Sequence, residues 1–216
     1  MSNRVLIGLF FFGTAALLIG QRFGFRWAGG EGYARQEPFQ IARVEGVATV
    51  DRAGVMRDAR AGEVLLRGET LRTEAGGRVL LYAGDQRAYL ALDERTDVRL
   101  ESLSDRGAVI KLGRGRIVAL STRLPFTVST NHTEHSFKDG RVSFVNYDFR
   151  SDVSVLPLSV VPVVSRLDGG RTWSTVDPMD IHEVPPISFT QTTFDPDKSV
   201  AASFYAWANQ RIRSVR

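Results

Sequence analysis

The chain has 216 residues, 43% hydrophobic and 24% charged, enough apolar material for one sizeable core and too much for a disordered chain. It has no cysteine, which excludes disulfides, cysteine-based zinc sites and a lipidated-cysteine tether. The formal net charge of +4 does not single out a nucleic-acid partner, because the arginines stand among carboxylates (Asp51-Arg52, Arg57-Asp58, Asp93-Glu94-Arg95) as they do on a solvated surface of mixed sign.

From the N-terminus, Met1 to Arg4 form a short tail that is expected to be cytoplasmic. Val5 to Gly20 is a continuous apolar run whose one polar side chain is Thr14. Spanning a bilayer core takes roughly 17 to 25 helical residues, and the segment up to Trp27 supplies the rest, with Phe23, Phe25 and Trp27 as an aromatic interface belt. The pattern predicts a single-pass transmembrane anchor over residues 5–27. A cleaved secretory signal is the alternative; Arg4 and the apolar run suit it, but Ala28-Gly29-Gly30 offers small residues without an Ala-x-Ala site. Arg22, Arg26 and Arg35 balance Arg4, so charge alone does not orient the anchor. Glycines 29, 30 and 32 followed by Gln36-Glu37-Pro38 predict a flexible linker over residues 28–40.

From Ile41 to Phe194 the apolar residues alternate with period two, and turn residues recur every eight to twelve positions. The predicted strands are Arg43 to Val50, Glu63 to Thr73 with a break at Gly68, Arg78 to Ala83, Arg87 to Leu92, Asp97 to Ser102, Ala108 to Leu112, Gly115 to Ser121 and Pro125 to Thr130. Beyond these come Arg141 to Tyr147, Val153 to Leu156, Val160 to Ser165, Arg171 to Val176 and Ile187 to Thr193. Val98 and Leu100 alternate with Asp97, Arg99 and Glu101, one face for a core and one for water. The expected fold is all-β, a single sandwich or roll over residues 41–194, with a β-solenoid-like roll as the alternative.

The last segment, residues 195–216, predicts a helix. Asp195 can cap it with Pro196 at its first position, and Lys198 to Ile212 sets Ala201, Phe204, Tyr205, Ala208 and Ile212 along one stripe. That stripe suits packing on the β domain; an aromatic docking surface for a partner is the functional alternative.

Few constellations point to chemistry. His132-Thr133-Glu134-His135 brings metal-ligating types together, but on a strand His132 and Glu134 share a face that His135 leaves, and His182 is the one further histidine. Asp168-Gly169-Gly170-Arg171-Thr172-Trp173 resembles the D-x-G-x-T-W hairpin of sialidase-type propellers, with Arg166 where a serine is expected and no repeat of the unit. No nucleophile-base motif and no phosphate-binding glycine loop stands out. No catalytic, cofactor-binding or metal residue is therefore assigned, and no cofactor is expected.

Four segments in order carry a family resemblance. Gly62-Glu-Val-Leu65-Leu-Arg-Gly68-Glu-Thr-Leu71-Arg-Thr73 gives G-x-x-L-x-x-G-x-x-L-x-T, and Val44-Glu-Gly46-Val-Ala-Thr-Val50 precedes it. Leu112-Gly-Arg-Gly115-Arg116 gives L-x-x-G-R, and Phe126-Thr-Val128-Ser-Thr130 gives F-x-V-x-T. Over about Val44 to Val155 the chain resembles the FecR-like domains, envelope regulatory and binding modules. It departs from them at Gly140-Arg141, where a Gly-Thr step is usual, and in showing only Met1 to Arg4 before the apolar run, where the family's anti-sigma regulators carry a folded cytoplasmic segment.

The resemblance implies a non-enzymatic binding or sensing module, anchored in the inner membrane with its β domain periplasmic or extracellular. Its partner would be a protein, a glycan or another envelope component, and the anti-sigma role is not carried over. A structural subunit of an envelope assembly is one alternative; a glycan-binding or glycan-cleaving envelope protein is another.

Overall fold

The computed structural model describes residues 38–83, 86–104, 106–147, 149, 151–168 and 170–215. The predicted tail, the anchor over residues 5–27 and the linker up to residue 37 lie outside the described residues. Among the described residues no helix is long and apolar enough to cross a membrane.

The described strands are β1 (Phe39–Glu45), β2 (Ala48–Arg52), β3 (Val55–Asp58), β4 (Val64–Leu65), β5 (Thr70–Thr73), β6 (Arg78–Ala83), β7 (Ala88–Leu92), β8 (Asp97–Ser104) and β9 (Gly107–Ser121). They continue with β10 (Phe126–Ser129), β11 (Thr133–Phe137), β12 (Gly140–Tyr147), β13 (Asp152–Pro157), β14 (Val163–Leu167), β15 (Thr172–Thr175), β16 (Met179–His182) and β17 (Ser188–Gln191), and one helix follows, α1 (Ala202–Val215). The expected all-β body with a short C-terminal helix is what is seen.

The strands form two sheets. One runs β3-β2-β5-β8-β9-β10-β11-β14-β15. The other runs β4-β1-β6-β7-β9-β12-β13-β16-β17. All pairings are antiparallel except β9 with β10, and β9 belongs to both sheets. Their inner faces meet in one core that includes Ile41, Leu71, Leu81, Leu90, Ile110, Phe126, Phe144 and Val155.

Gly46 and Gly113, the residue inserted at a bulge in β9, set this arrangement, and both correct the predicted strands. Arg43 to Val50 is not one strand: Gly46 adopts φ +70° with the Gly76 carbonyl 2.7 Å from where a Cβ would sit, and the chain passes there from the second sheet (β1) to the first (β2). Conversely, Ala108 to Leu112 and Gly115 to Ser121 are one strand, β9. Its register slips beside Asp97 and Val98, a bulge that inserts one residue and shifts the inward parity. Ala108, Ile110 and Leu112 therefore point into the core from the first sheet, and Ile117 and Ala119 from the second.

β7 explains a run that does not alternate. All five of its residues are buried, because Leu90 and Leu92 face the core while Tyr89 and Ala91 face α1 on the outside of the second sheet. A strand covered on both sides loses its polar face. The helix reads as predicted on its inner stripe: Ala201, Phe204, Tyr205, Ala208 and Ile212 are buried, with Trp207 in addition. They pack on Leu80, Tyr89, Ala91 and Val118. The aromatic face is thus occupied by the chain's own sheet and is not presented for docking. Arg78 pins it, with its Nη2 donating to Ser203 Oγ at 3.0 Å and its guanidinium 5.9 Å from the ring centres of Phe204 and Trp207; Arg211 reaches Glu45 at 3.2 Å.

Other boundaries shift. The helix begins at Ala202 rather than Lys198, because Asp195 caps a preceding turn by accepting from the Asp197 amide at 3.0 Å. Three strands went unpredicted, β3, β11 and β16. β11 buries Thr133 and His135 instead of apolar residues, and β3 is a sheet edge with Val55 and Met56 exposed.

Phe204 is fully buried between α1 and the second sheet, so Phe204→Ala should lower the unfolding free energy by about 3 to 5 kcal/mol, read from urea denaturation followed by tryptophan fluorescence. A loss under about 1 kcal/mol would mean that the helix is not docked as described.

Candidate functional site

At the end of the second sheet remote from Phe39, three backbone features converge on a cleft of about 360 Å³. They are the turn from β7 to β8 (Asp93 to Thr96), the bend of β9 at Gly115, and the connection from β12 to β13 that carries Phe149. Gly115 sits there at φ +94°, and a Cβ on it would lie 2.6 Å from Thr96 Cα and 2.8 Å from the Arg95 carbonyl. No other residue lets β9 press so closely on the turn.

The turn is fixed from beneath. Thr73, the last residue of the G-x-x-L-x-x-G-x-x-L-x-T segment, is buried; its hydroxyl donates to the Asp93 carbonyl at 2.6 Å and accepts from the Thr96 amide at 2.9 Å. Thr96, fully buried, in turn accepts from the Arg116 amide at 3.1 Å. These bonds satisfy backbone groups that would otherwise be buried and unpaired. They also set Arg114 and Arg116 on either side of Gly115, beside Arg95.

The carboxylates of the cleft are already engaged. Asp93 lies between Arg116 (3.0 Å) and Arg78 (3.4 Å). Glu94 accepts from the Gly76 amide at 2.6 Å. Asp97, next to the cleft, lies between Arg114 (3.4 Å) and Arg72 (3.6 Å). Arg114 is half exposed and touches Asp97 through Nε. Arg95 is exposed at a turn position with φ +53°, where glycine or asparagine would sit with less strain. Asn146 forms part of the floor. It is 2% exposed, and its amide donates to the Leu112 and Gly113 carbonyls at 2.9 Å each, bracing the bend of β9. Phe149, 76% exposed, forms a wall.

A larger cleft of about 450 Å³ lies where the end of α1 meets β9 and β12. Its floor is Leu120 and Ile212, and its polar groups serve mainly to join helix to sheet, as Arg141 does by donating to Asn209.

The residues singled out in sequence go elsewhere. His132 is half exposed, 3.6 Å from Asp168. Glu134 faces outward and pairs with Arg166 at 2.6 Å. His182 lies 2.6 Å from Asp152. His135 is fully buried, so these side chains do not converge, and among the described residues no group of three or more His, Asp or Glu could hold a metal ion. His135 instead centres a buried chain. Thr130 and Thr133 both donate to Glu183 Oε1; Thr133, its hydrogen spent, accepts from His135 Nε2 at 2.8 Å, and His135 Nδ1 accepts from Ser165 at 2.8 Å. Burial pushes the imidazole pKa down to about 3, so the ring is neutral, and Thr133 as acceptor assigns its proton to Nε2 and leaves Nδ1 to accept from Ser165. The D-x-G-x-T-W segment forms the β14–β15 hairpin, with Trp173 4.3 Å from Phe189 between ring centres, a contact across the two sheets.

The cleft residues were missed as a site. Arg114-Gly115-Arg116 stood out only as a fold signature. Asn146 left one trace: it continues the inward parity of Val142 and Phe144 as a polar residue.

Comparisons with known proteins support the fold. No family model matches the sequence, and no curated protein matches it. Two crystal structures, each of a "putative anti-sigma factor" from Parabacteroides distasonis, are similar in fold. One has a TM-score of 0.52 at 12% identity over 67% of this chain and 74% of that one. The other has a TM-score of 0.51 at 12% identity over 60% of this chain, which spans 61% of that protein's length, less than two thirds.

Two outcomes test this local structure. Gly115→Ala should cost about 3 kcal/mol or more, since it adds both a backbone clash and a left-handed alanine; a thermal melt unchanged from the parent would refute the close approach to Thr96. For His135, the unfolded chain binds a proton below pH 6.5 while the folded one binds none until about pH 3. Stability from this group is therefore intact above pH 6.5 and falls with decreasing pH by about 1.4 kcal/mol per unit down to about pH 3. The imidazole resonances of His135 should stay those of a neutral ring at pH 4.5, and a protonated ring there would contradict its burial.

Proposed function

We propose that the chain is a membrane-anchored, extracytoplasmic binding and sensing module of the FecR-like kind, without enzymatic activity. The observation that carries this reading is the fold shared with chains described as anti-sigma factors, taken together with where the FecR-like segments fall. Leu65, Leu71, Leu112, Phe126 and Val128 of those segments are core residues, while Thr73, Gly115 and Arg116 build the turn and bend around the cleft. The segments thus work as one structural unit rather than as scattered alternating strands.

The anchor rests on the apolar run from Val5 to Gly20, whose length with the following aromatic belt suits a bilayer. A binding role suits the cleft, in which a few charged and polar groups sit around a small concavity. The aromatic face of α1 is committed to the second sheet, so the assembly-subunit alternative loses the lateral contact that the sequence offered it.

Detergent should be needed to extract the full-length protein, and protease added to spheroplasts should degrade the β domain. Protection from protease would reverse the topology, and recovery of soluble protein without its first thirty or so residues would remove the anchor.

A further inference from the structure

The strand registers give the β domain two unlike ends. Phe39 pairs with Ala83, the turn after Ala83 leads to Ala88, Ala88 pairs with Ser121, and Ser121 pairs with Gly140. The domain therefore begins at the same end as the cleft of about 450 Å³ between α1, β9 and β12, which Ser121 and Gly140 line.

Exposed cations surround that cleft. Arg213, in the last turn of α1, lines it and is exposed. Asp139 lines it as well, and its Oδ1 accepts from the backbone amide of Arg123, which brings the exposed Arg123 and Lys138 to the same rim. Among the described residues none of these three side chains is held in an ion pair. Val160 follows Ser159, another lining residue, and is 98% exposed. Arg87 and Arg106 lie in turns at this end too, but the sequence sets Asp85 and Asp105 close beside them, so those turns are close to neutral. At the opposite end exposed carboxylates, Glu74, Glu94 and Asp168, are mixed with Arg95 and Arg171.

Three exposed cations around a protruding aliphatic side chain match the chemistry of an anionic bilayer surface. Lipid phosphates attract Lys and Arg that approach within a Debye length, and an aliphatic side chain gains by leaving water for the boundary between headgroups and acyl chains. The cations are exposed on separate turns, which suits headgroups that move laterally to meet them. Residues 28–38 are eleven in number and span at most about 40 Å when fully extended. An anchor ending at Trp27 would thus keep a lipid surface at high effective concentration near Phe39, and Phe39 starts at the cationic end.

We propose that this end of the β domain rests on the bilayer, with Arg123, Lys138 and Arg213 on the phosphates of anionic phospholipids and Val160 in the headgroup layer. The inference rests on the anchored reading and adds the surface that the domain turns to the membrane.

The test uses full-length protein reconstituted into vesicles of phosphatidylcholine alone and of an equal mixture with phosphatidylglycerol, both doped with a nitroxide-bearing phospholipid. The chain has no cysteine, so Val160→Cys carries one fluorophore, and Ala75→Cys, exposed at the opposite end, carries the control. The expected result is nitroxide quenching at position 160 that is severalfold stronger in the mixed vesicles, with position 75 little quenched in either. Arg123→Glu, Lys138→Glu and Arg213→Glu together should return position 160 to the level in phosphatidylcholine. Raised ionic strength should do the same on the unaltered chain, so the test does not depend on the triple variant folding. Equal quenching in both vesicles, quenching of position 75 as strong as that of position 160, or a contact that neither salt nor the triple variant weakens would overturn the proposal. Protein stripped from the vesicles by alkaline carbonate would refute the anchor and this inference with it, whereas protein that stays in the mixed vesicles with position 160 unquenched would refute this inference alone.

Discussion

The backbone of β9 passes against the turn between β7 and β8 at a distance that only glycine allows, with Gly115 packed on Thr96. That close approach, together with the bulge beside it, lets one fifteen-residue strand serve both sheets and keep apolar side chains inward on each side of the bend. The core is continuous because of it. Leu112 and Ile117, on opposite sides of the corner, belong to the same cluster, so the two sheets are joined covalently and through packing at their middle rather than only at their rims.

The same corner organises the chemistry at the surface. Arg114 and Arg116 flank Gly115, Thr73 and Thr96 lock the turn that presents Asp93 to Arg95, and Asn146 braces the bend from beneath. Most of these polar groups are satisfied by one another, which makes the corner rigid. A concave site built on a rigid strand crossing, with its own charges largely paired, has little to reorganise before it meets another molecule.

Much of the architecture was legible in the sequence because burial imposes periodicity. Alternation at Val98 and Leu100, the turn residues and the apolar stripe of α1 all translate directly into observed elements. The failures have physical causes. Gly46 falls inside the predicted strand Arg43 to Val50, yet it carries the chain from one sheet to the other; Gly113 falls between two predicted strands, yet the chain runs through it as one bent strand. Both depend on contacts with residues distant in sequence. β11 was hidden because His135 and Thr133 fill core positions, and a buried histidine with two hydroxyl partners has no apolar signature. The cleft was not legible at all. Its residues come from three separate loops and bends, and only the inward parity of Asn146 marked any of them.

The account turns on β9 being one structural unit that belongs to both sheets. Native-state hydrogen exchange of its backbone amides tests this most directly. The amides of Ile110 and Leu112 in the first sheet and of Val118 and Ala119 in the second should exchange with one common opening free energy, equal to that of global unfolding. Exchange of the two halves at separate free energies, with one sheet opening while the other stays protected, would contradict it.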